Sequence, residues 1–393
     1  MIPMSGVDYL IGSENVVRVP LRVFDEEVCA FIEELSSELL SSPVSRVMPD
    51  LAALAFWGRR AGIRKLKQQA GDVSDRLGRG LCFHIAPSNI PINFAFSWLF
   101  ALLAGNSNIV RLPSRNFPQA DALCTVAGRL IGKYPEVAER TAFVRYPRDN
   151  AATAAFCAMA DARMIWGGDA TIAAVRAMPA SPRCVDIAFA DRYSLALFDG
   201  AAVLSADEAA IRRLAENFYN DTFLMDQNAC SSPQVILWQN DSGQARERFW
   251  TAVYDCARSR YVLQDAVAVD KYTALCEEAM STGNMHGVRR MGNLIYRVEL
   301  AALGPGIMEC RGRGGFFHEY ALKDWKEFFA VVTEKFQTVT CFGVDTDALR
   351  QTVVAAGLRG IDRIVPVGKA MDIGVIWDGH DLIRELSRVV SKE

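Results

Sequence analysis

The chain has 393 residues, enough for two domains of ordinary size, and 51% of its residues are hydrophobic, enough to bury large cores. Its formal net charge is −3 with acidic and basic residues interspersed, which gives no support for binding to nucleic acid or to an anionic membrane surface. The most apolar run, Phe94 to Ala104, is about half as long as a membrane span, and the N-terminus lacks the pattern of a secretory signal.

The first 75 residues are expected to be mostly helical, with apolar residues at helical spacing in Phe24–Leu40 and Leu51–Gln69. From Gly80 onward, short apolar runs alternate with helical stretches. The predicted strands are Leu81–Ala86, Ser107–Leu112, Thr141–Tyr146, Ala162–Trp166, Arg183–Ala190 and Tyr193–Phe198. The predicted helices between them are Phe94–Leu103, Ala120–Lys133, Asn150–Ala160 and Ala170–Met178. This alternation predicts a mostly parallel sheet covered on both faces, an architecture that binds dinucleotides beyond the carboxyl ends of its strands.

A second unit is expected to begin near residue 203, because Ser205 to Glu208 have the pattern of a capping box ahead of a helix. Its further strands are predicted at Gln234–Trp238, Asn293–Val298, Phe316–Tyr320 and Gln337–Phe342, and its further helices at Ala245–Arg260, Lys271–Met280 and Asp345–Ala355. From Arg363 the chain is predicted to form a strand, a turn and a closing helix, Leu382–Val390. We therefore expect a cofactor domain in 1–203, a catalytic domain in 204–362, and a segment in 363–393 that returns to the first domain.

Cys230 lies in the small-residue stretch Asn228–Gln234, between a predicted helix and a predicted strand. Small neighbours leave room for a substrate carbonyl and leave backbone N–H groups available to an oxyanion, so the position suits a nucleophile. The alternative is a small buried hydrophobe, as cysteines often are. The ten cysteines lack C-x-x-C or other metal-ligand spacing, so we expect reduced thiols, a cytoplasmic location and no metal site.

Three loops follow strands of the first unit, and in a doubly wound sheet such loops gather at one edge. They contain Pro87-Ser88-Asn89, Pro113-Ser114-Arg115 and Gly167-Gly168-Asp169. Gly167 and Gly168 precede a helix and would let the backbone approach a pyrophosphate. A Gly-Gly pair more often forms a plain turn, however, and no G-x-G-x-x-G is present. Asn89 is either a turn asparagine bonded to its own backbone or an amide donor to an oxyanion, together with the N–H of Cys230.

Taken together, these loops and the cysteine stretch resemble the aldehyde dehydrogenase superfamily. The phrase Glu334-Lys335-Phe336-Gln337-Thr338-Val339 is similar to its Glu-x-Phe-Gly-Pro-Val motif, with Gln-Thr in place of Gly-Pro. Within the superfamily the chain most resembles the LuxC-type acyl-CoA reductases, to which Arg183–Ala188, Asp226–Cys230 and Gly360–Gly368 are similar. The resemblance covers roughly residues 50–380 and implies an α/β aldehyde dehydrogenase-like fold, with two α/β domains that contain mostly parallel sheets.

The resemblance also implies roles for individual residues. Cys230 would be the nucleophile, Asn89 the side-chain oxyanion donor, and Glu334 a contact to the nicotinamide ribose. The other residues expected along the cofactor are Pro87, Ser88, Pro113, Ser114, Arg115, Trp166, Gly167 and Gly168. Leu112 replaces a Lys that binds the adenosine ribose in hydrolytic members. Arg115 lies near the usual acidic ribose contact and is either a solvent-facing loop residue or a partner for a 2′-phosphate, so we expect NADPH, with NADH as the alternative.

Hydrolytic aldehyde dehydrogenases activate water with a Glu in a Glu-Leu-Gly-Gly phrase, whereas the corresponding region here, Cys184–Ala190, offers only Asp186. Members that use thioesters also lack that base, because thiolysis of an acyl-cysteine needs a thiol and not an activated water. The sequence therefore predicts NAD(P)H-dependent reduction of an acyl thioester to an aldehyde through acyl-Cys230. The alternatives are aldehyde oxidation or acyl-phosphate reduction on the same fold, or a non-catalytic member that binds a cofactor or a partner protein.

The expected partners are an acyl-CoA or acyl-carrier substrate, an acyl-transferring protein and further copies of the chain in a homo-oligomer. Two other features are given structural interpretations. His318, in the aromatic run Phe316–Tyr320, is interpreted as a packed residue, and Arg311–Gly315 as a flexible loop with a phosphate contact as the alternative.

Overall fold

The computed structural model describes residues 6–87, 91–113, 115–147, 150–281 and 283–392. The chain divides into two compact units, Met1–Ala190 with Ile373–Glu393, and Asp191–Asp372. These divisions differ from the boundaries expected at residues 203 and 362. Among the described residues, no helix has the length and apolar character needed to cross a bilayer.

The first unit contains an α/β arrangement around one sheet. Its helices up to residue 190 are α1 (Glu26–Ser41), α2 (Pro43–Val47), α3 (Pro49–Trp57), α4 (Arg60–Ala70), α5 (Asn93–Leu103), α6 (Pro118–Ile131), α7 (Pro135–Ala138), α8 (Asn150–Met159) and α9 (Asp169–Arg176). Its strands in this part are β1 (Asp8–Ile11), β2 (Arg76–Gly78), β3 (Leu81–Ile85), β4 (Ser107–Arg111), β5 (Thr141–Arg145), β6 (Ala162–Trp166) and β7 (Val185–Phe189). The sheet has the order β1-β5-β4-β3-β6-β7, and its strands are parallel except for β1.

This sheet confirms the predicted parallel strands. Every residue of β3 is buried, as expected for a strand covered by helices on both faces. Helix α5 is apolar all round and almost entirely buried, as its composition predicts. The helix predicted over Leu51–Gln69 is instead two helices, because the chain becomes extended at Arg59 before α4 begins. Strand β1 was not predicted; it is a four-residue edge strand antiparallel to β5.

The second unit is built around a larger sheet. Its strands are β8 (Tyr193–Asp199), β9 (Pro233–Gln239), β10 (Met285–Met291), β11 (Ile295–Leu300), β12 (Phe316–Ala321), β13 (Phe336–Phe342) and β14 (Arg363–Pro366). Its helices are α10 (Gly200–Ser205), α11 (Glu208–Asp221), α12 (Gly243–Arg260), α13 (Asp265–Ser281), α14 (Trp325–Phe329) and α15 (Thr346–Ala355). The order is β10-β11-β12-β9-β8-β13-β14, and β10 is the antiparallel strand. Because β8 pairs with β9 and β13 inside this sheet, it belongs to the second unit and moves the unit boundary to before residue 203.

The strands of the second sheet separate two apolar clusters. Leu195 and Leu197 of β8 pack in one cluster, whereas Ala196 and Phe198 pack in the other. This division follows from the two-residue period of a strand, which turns successive side chains to opposite faces. Both faces are therefore covered, which accounts for the continuous apolar runs in the sequence.

The start of α11 corrects the predicted capping box. The helix begins at Glu208 and is capped by Asp207, whose carboxylate accepts the N–H of Ala210 at 2.7 Å. Ser205 instead ends α10, and its hydroxyl donates to the carbonyl of Ala202. Aspartate is as good an N-cap as serine, so the actual cap lies two residues later than predicted.

The C-terminal segment returns to the first unit but is not the predicted closing helix. It contains β15 (Ile376–Trp377), β16 (His380–Asp381), the single-turn helix α16 (Leu382–Glu385) and β17 (Ser387–Val389). Strand β17 pairs antiparallel with β2, and the guanidinium of Arg76 donates to the Ser387 hydroxyl at 2.8 Å. Pairing with a strand some 300 positions earlier overrides the local helical pattern.

Candidate active site

The loop that contains Cys230 joins α11 to β9 in the second unit. After α11 the chain forms a short 3-10 helix, Phe223–Met225, and then turns through residues 226–232 into the strand. Asp226 and Gln227 have φ angles of 51° and 62°, in the left-handed region that residues other than glycine seldom adopt. Such conformations persist only where the surrounding structure enforces them, and they concentrate at functional sites.

Gln227 anchors residues 226–232 to the body of the unit. We name these residues the nucleophile loop after the role predicted for Cys230. Its side chain is buried, and Nε2 donates to the carbonyls of Pro233 at 3.1 Å and Phe316 at 3.0 Å. Its Oε1 accepts the N–H of Gly315 at 3.3 Å. One buried amide therefore links the loop to β9, to β12 and to the glycine-rich segment before β12.

Gln234 forms a second link on the other side of the cysteine. Its Nε2 donates to the carbonyl of Gln227 at 3.0 Å, and its Oε1 accepts the N–H of Gly312 at 2.9 Å. The N–H of Gly314 also donates to the carbonyl of Asp226 at 3.1 Å. The segment Arg311–Gly315, which we interpreted as a flexible loop, is thus an anchored support for the nucleophile loop.

Ser194, on β8, holds the backbone of Cys230 itself. Its hydroxyl donates to the Cys230 carbonyl at 2.7 Å and accepts the N–H of Thr338 at 3.2 Å. The residue before Thr338, Gln337, is fully buried, and its Nε2 has no partner among the described residues. The motif that resembles Glu-x-Phe-Gly-Pro-Val therefore meets the nucleophile loop through one serine.

The end of the nucleophile loop is tied to the end of α11 and, through it, to the segment after β14. Ser232 donates its hydroxyl proton to the Asp221 carbonyl at 2.7 Å. The carboxylate of Asp221 accepts the N–H groups of Gly368 at 2.6 Å and Ala370 at 3.0 Å. Burial raises the pKa of this carboxyl to about 7, against the lowering effect of the two N–H donors.

Several other cysteines are buried enough for the pKa of their thiols to be raised. All ten carry thiols and not disulfides, and Cys230 is half-buried. Burial raises the pKa of Cys124, Cys310 and Cys341 to about 12 and that of Cys184 to about 11. A thiol held protonated in this way is a poor nucleophile, which makes these four positions weak candidates for that role.

In the first unit, the carboxyl ends of β3 and β6 form the place expected to hold a dinucleotide. The chain leaves β3 in one direction for β4 and β5 and in the other for β6 and β7, so the strand order reverses between β3 and β6. Ligands of open α/β sheets bind outside the carboxyl ends at such a switch point. Pro87 follows β3, and Gly167 and Gly168 follow β6, so these predicted residues lie at adjacent strand ends.

The backbone of Gly168 is open enough to meet a phosphate. It is the N-cap of α9 with no described side chain bonded there. Apart from its two neighbours in the chain, no described residue has an atom within 4 Å of where a Cβ would stand. The N–H groups at a helix N-terminus favour an anion. Trp166 has a different role, because its indole stacks on Phe189 at 3.8 Å and donates to the Ser97 hydroxyl at 3.2 Å. Its ring is therefore part of the packing under this edge.

The remaining residues predicted to contact the cofactor differ in their exposure to solvent. Pro113, two residues after β4, is buried. Arg115 is exposed, forms no ion pair with any described residue, and has its guanidinium 5.4 Å from the centre of the Phe117 ring. Glu334 lies in the turn before β13 in the second unit, with its carboxylate 58% exposed and 3.8 Å from Arg359. An exposed pair at this distance contributes little, so the carboxylate can turn to another partner. Ser88, Asn89 and Ser114 lie outside the described residues.

Asp186, the remaining acid where hydrolytic enzymes carry their base, is fully engaged. Its two carboxylate oxygens accept Nε and Nη2 of Arg163 at 2.6 and 2.7 Å, from the neighbouring strand β6. The same guanidinium donates to the carbonyl of Val175 at 3.0 Å. A carboxylate held in such a bidentate ion pair joins two strands of the sheet and is not available to activate water.

The anchoring residues were not identified from the sequence. Ser194, Asp221, Gln227 and Gln234 are buried polar residues that hold the nucleophile loop. The available signal was the presence of polar side chains inside or beside apolar runs, because a buried polar group must find a hydrogen-bond partner. The sequence does not state which partner each one finds.

Comparisons with known proteins identify the family and the fold. The model of the acyl-CoA reductase (LuxC) family matches residues 50–391. No curated protein matches the chain. Among solved structures, a putative aldehyde dehydrogenase from Burkholderia cenocepacia superposes with a TM-score of 0.58 at 16% identity, covering 93% of this chain and 84% of that one. A putative aldehyde dehydrogenase from Anabaena variabilis gives 0.56 at 14% identity, covering 92% and 85%.

A mutant of proline utilization A from Bradyrhizobium japonicum is also similar, with a TM-score of 0.62 at 15% identity. The alignment covers 92% of this chain but 42% of that much longer protein. Likeness at such low identity shows the fold, which is that of aldehyde dehydrogenases, as the sequence predicts.

Proposed function

The chain belongs to the LuxC family of acyl-CoA reductases, which are oxidoreductases that act on acyl groups, and we propose that it reduces an acyl thioester to an aldehyde through an acyl-Cys230 intermediate. The observation that carries this proposal is the construction of the nucleophile loop. Cys230 is half-buried in a loop that begins with two left-handed residues, Asp226 and Gln227. The backbone of this loop is held by the side chains of Gln227, Gln234 and Ser194. So much support around one cysteine suits a residue that must present its thiolate in a fixed position.

The first half-reaction forms a thioester on the enzyme. The Cys230 thiolate attacks the carbonyl carbon of the substrate, and the bond from that carbon to the carrier sulfur breaks. The carrier leaves as a thiolate and takes up a proton. The N–H of Cys230 is the proposed backbone donor to the oxyanion, and Asn89 is the proposed side-chain donor.

The anchoring contacts lower the free-energy barrier of this step. Because Ser194 holds the carbonyl of Cys230 and Gln227 holds the turn before it, both the thiol and the backbone N–H of the cysteine keep their orientation as charge develops. Donors that are already in place need no reorganisation in the transition state, and removing one such donor typically costs about 10²–10³ in rate.

A nicotinamide cofactor supplies the hydride that reduces the acyl group when it is bound. We propose that Gly167 and Gly168 receive its pyrophosphate, that Arg115 pairs with a 2′-phosphate, and that Glu334 contacts the nicotinamide ribose. The open backbone at Gly168 and the exposed guanidinium of Arg115 fit these roles. Reduction leaves a thiohemiacetal on Cys230, which collapses to the aldehyde as the thiolate is restored.

The acyl-enzyme must survive until it is reduced. Water attacks an acyl-cysteine quickly only when a base activates it, which typically contributes about 10²–10⁴-fold. Asp186 is held by Arg163, and the sequence has no Glu-Leu-Gly-Gly phrase to supply a glutamate. The lack of this base favours capture of the acyl group by hydride or by a thiol.

Intact-protein mass spectrometry after incubation with acyl thioesters of increasing chain length, without cofactor, tests the proposal. We expect one acyl group per chain, lost in Cys230→Ala and retained in Cys276→Ala, which removes an exposed thiol elsewhere in the same unit. Acyl phosphates and acyl-carrier protein are included as separate donors. An adduct that persists in Cys230→Ala and maps to Cys184 or Cys310 would refute the assignment.

A further inference from the structure

Three side chains of metal-binding types meet in the second unit, apart from the residues used in the proposed reaction. Glu278 comes from α13, Cys310 follows the 3-10 helix Pro305–Glu309, and His318 lies on β12. One ligand atom from each lies within 4.8 Å of the other two. The residues are far apart in sequence, which is why no metal-binding spacing is visible in it.

The imidazole is the most buried member of this cluster. His318 is 1% exposed, and its Nε2 lies 3.1 and 3.0 Å from the two carboxylate oxygens of Glu278. Its Nδ1 is buried and has no partner among the described residues. Since Nε2 is the nitrogen that faces Glu278, an ion shared by these two residues would bind at Nε2, and the unpartnered Nδ1 does not by itself indicate a metal.

We propose that Glu278, Cys310 and His318 bind a divalent ion of the zinc type, with a fourth position left to water or a solute. A carboxylate, a thiolate and an imidazole suit Zn²⁺, whereas Mg²⁺ and Ca²⁺ prefer oxygen ligands alone. Binding replaces the thiol proton of Cys310, and any proton shared between His318 and Glu278, by the metal, with no change of oxidation state.

The distances are compatible with such a site. Tetrahedral bonds of about 2.0–2.3 Å separate neighbouring ligand atoms by about 3.3–3.6 Å. The His318 and Glu278 atoms, 3.0 Å apart, need to separate by a few tenths of an ångström. The Cys310 sulfur, at most 4.8 Å from the others, needs to approach by about 1 Å, which a small rotation of its side chain provides.

The site would brace the strand that holds the nucleophile loop. The hydroxyl of Tyr193 donates to the carbonyl of Cys310 at 3.2 Å, and the next residue, Ser194, donates to the carbonyl of Cys230. A metal that fixes Cys310 to α13 and β12 would therefore also fix the start of β8. This role is structural and does not require the ion to touch the substrate.

Titration of chelator-treated full-length protein with Co²⁺, which takes the place of Zn²⁺ and is coloured, tests the proposal. We expect one equivalent to bind with a thiolate-to-cobalt absorption band in the near ultraviolet, displaced by Zn²⁺. Cys310→Ser should lose this band, and His318→Gln and Glu278→Gln should weaken binding at least about tenfold. The exposed thiol of Cys276, on the same helix as Glu278, provides the matched control, since Cys276→Ser should keep the band.

Thermal unfolding of the unaltered protein gives a second readout that needs no variant. Excess Zn²⁺ should raise the Tm because it binds the folded state, whereas equal Mg²⁺ should leave it unchanged. The proposal is wrong if the cobalt band survives in Cys310→Ser, if it is lost in Cys276→Ser, or if Zn²⁺ neither binds nor shifts the Tm. In each of these cases the Glu278–His318 pair is an ordinary buried hydrogen bond.

Discussion

The nucleophile loop of the second unit and the carboxyl edge of the sheet in the first unit are constructed in opposite ways. The loop around Cys230 has backbone groups bound by the buried side chains of Gln227, Gln234 and Ser194. The edge after β4 and β6 instead presents open backbone at Gly168 and, at Arg115, an exposed guanidinium that forms no ion pair with a described residue. In the nucleophile loop, backbone groups are hydrogen-bonded to side chains of the same protein. At the edge of the first sheet, hydrogen-bond donors remain available to a ligand.

This difference corresponds to two different chemical tasks. A nucleophile that forms a covalent bond must be held within about 0.5 Å of the productive geometry. A cofactor must bind and leave in every cycle, so its contacts are better made by groups that remain solvated until it arrives. Substitutions in the loop should therefore affect both stability and chemistry, whereas substitutions at the edge should affect cofactor binding alone.

The largest expected effect concerns Asp221, which ties the end of α11 to the segment after β14. Its pKa is raised to about 7 by burial, so between pH 4 and 7 the unfolded chain loses this proton while the folded protein keeps it. Below pH 4 the protonated carboxyl makes its whole contribution to the free energy of unfolding. As the pH rises from 4 to about 7 this contribution is lost, which lowers the free energy of unfolding by roughly 4 kcal/mol at most.

Urea unfolding of the unaltered protein and of Asp221→Asn across this pH range measures that contribution. As the pH rises from 4 to 7, the free energy of unfolding of the unaltered protein should fall steadily relative to that of Asp221→Asn. A constant difference, or one that moves the other way, would show that the N–H donors of Gly368 and Ala370 keep the carboxylate ionised.

Gln227→Leu breaks the central anchor of the loop with a side chain of similar size. It leaves the N–H of Gly315 and the carbonyls of Pro233 and Phe316 without their buried partner. We expect the unfolding free energy to fall by about 2–3 kcal/mol and acylation of Cys230 to slow by at least about 10²-fold. Denaturant unfolding and stopped-flow acylation measure the two effects.

Gln264→Leu is the matched control for that experiment, because Gln264 is exposed in the same unit. Its stability should stay within about 0.5 kcal/mol of the unaltered protein. Equal stability of the two variants would mean that the side chain of Gln227 does not support the loop.

At the open edge, Gly168→Val should weaken cofactor binding about tenfold without lowering the Tm. The Cβ position of Gly168 is empty of described atoms, so the added side chain fits the protein but blocks the approach of a phosphate. Gly243→Val is the control, since Gly243 also lies at a helix N-terminus with open space around it. Cofactor titration by fluorescence should separate the two variants, and an unchanged affinity in Gly168→Val would place the pyrophosphate elsewhere.

The smallest effect is expected at Arg115. If its guanidinium pairs with a 2′-phosphate, Arg115→Ala should lower kcat/KM for NADPH about fivefold to tenfold, or about 1 kcal/mol, and leave NADH unaffected. Steady-state kinetics with both cofactors gives the ratio. Equal efficiency with the two cofactors, unchanged in the variant, would remove the reason to prefer NADPH.

The sequence predicted those features that depend on local pattern. The parallel strands follow from continuous apolar runs such as Leu81–Ile85, and the stretch around Cys230 is distinguished by its small residues. Features set by distant partners were missed. The closing segment forms β17 because β2 pairs with it, and Gln227 and Gln234 anchor the loop because β12 and the glycine-rich segment lie beside them.

The meeting of Glu278, Cys310 and His318 was hidden for the same reason. Each comes from a different element, and only the packing of α13 against the sheet brings the three together. His318 was interpreted as a packed residue, and it is indeed buried, but burial alone did not indicate its partners. Such clusters can be found only once the tertiary structure is known.

The fate of a preformed acyl-Cys230 enzyme tests the central claim most directly. The protein is acylated without cofactor, the excess thioester is removed, and reduced cofactor is added while aldehyde and free acid are measured over time. We predict that aldehyde is the main product and that without cofactor the adduct persists, because Asp186 is held by Arg163 and the sequence has no Glu-Leu-Gly-Gly phrase to supply another base. Release of mainly free acid would contradict the account and show that the protein possesses a hydrolytic base.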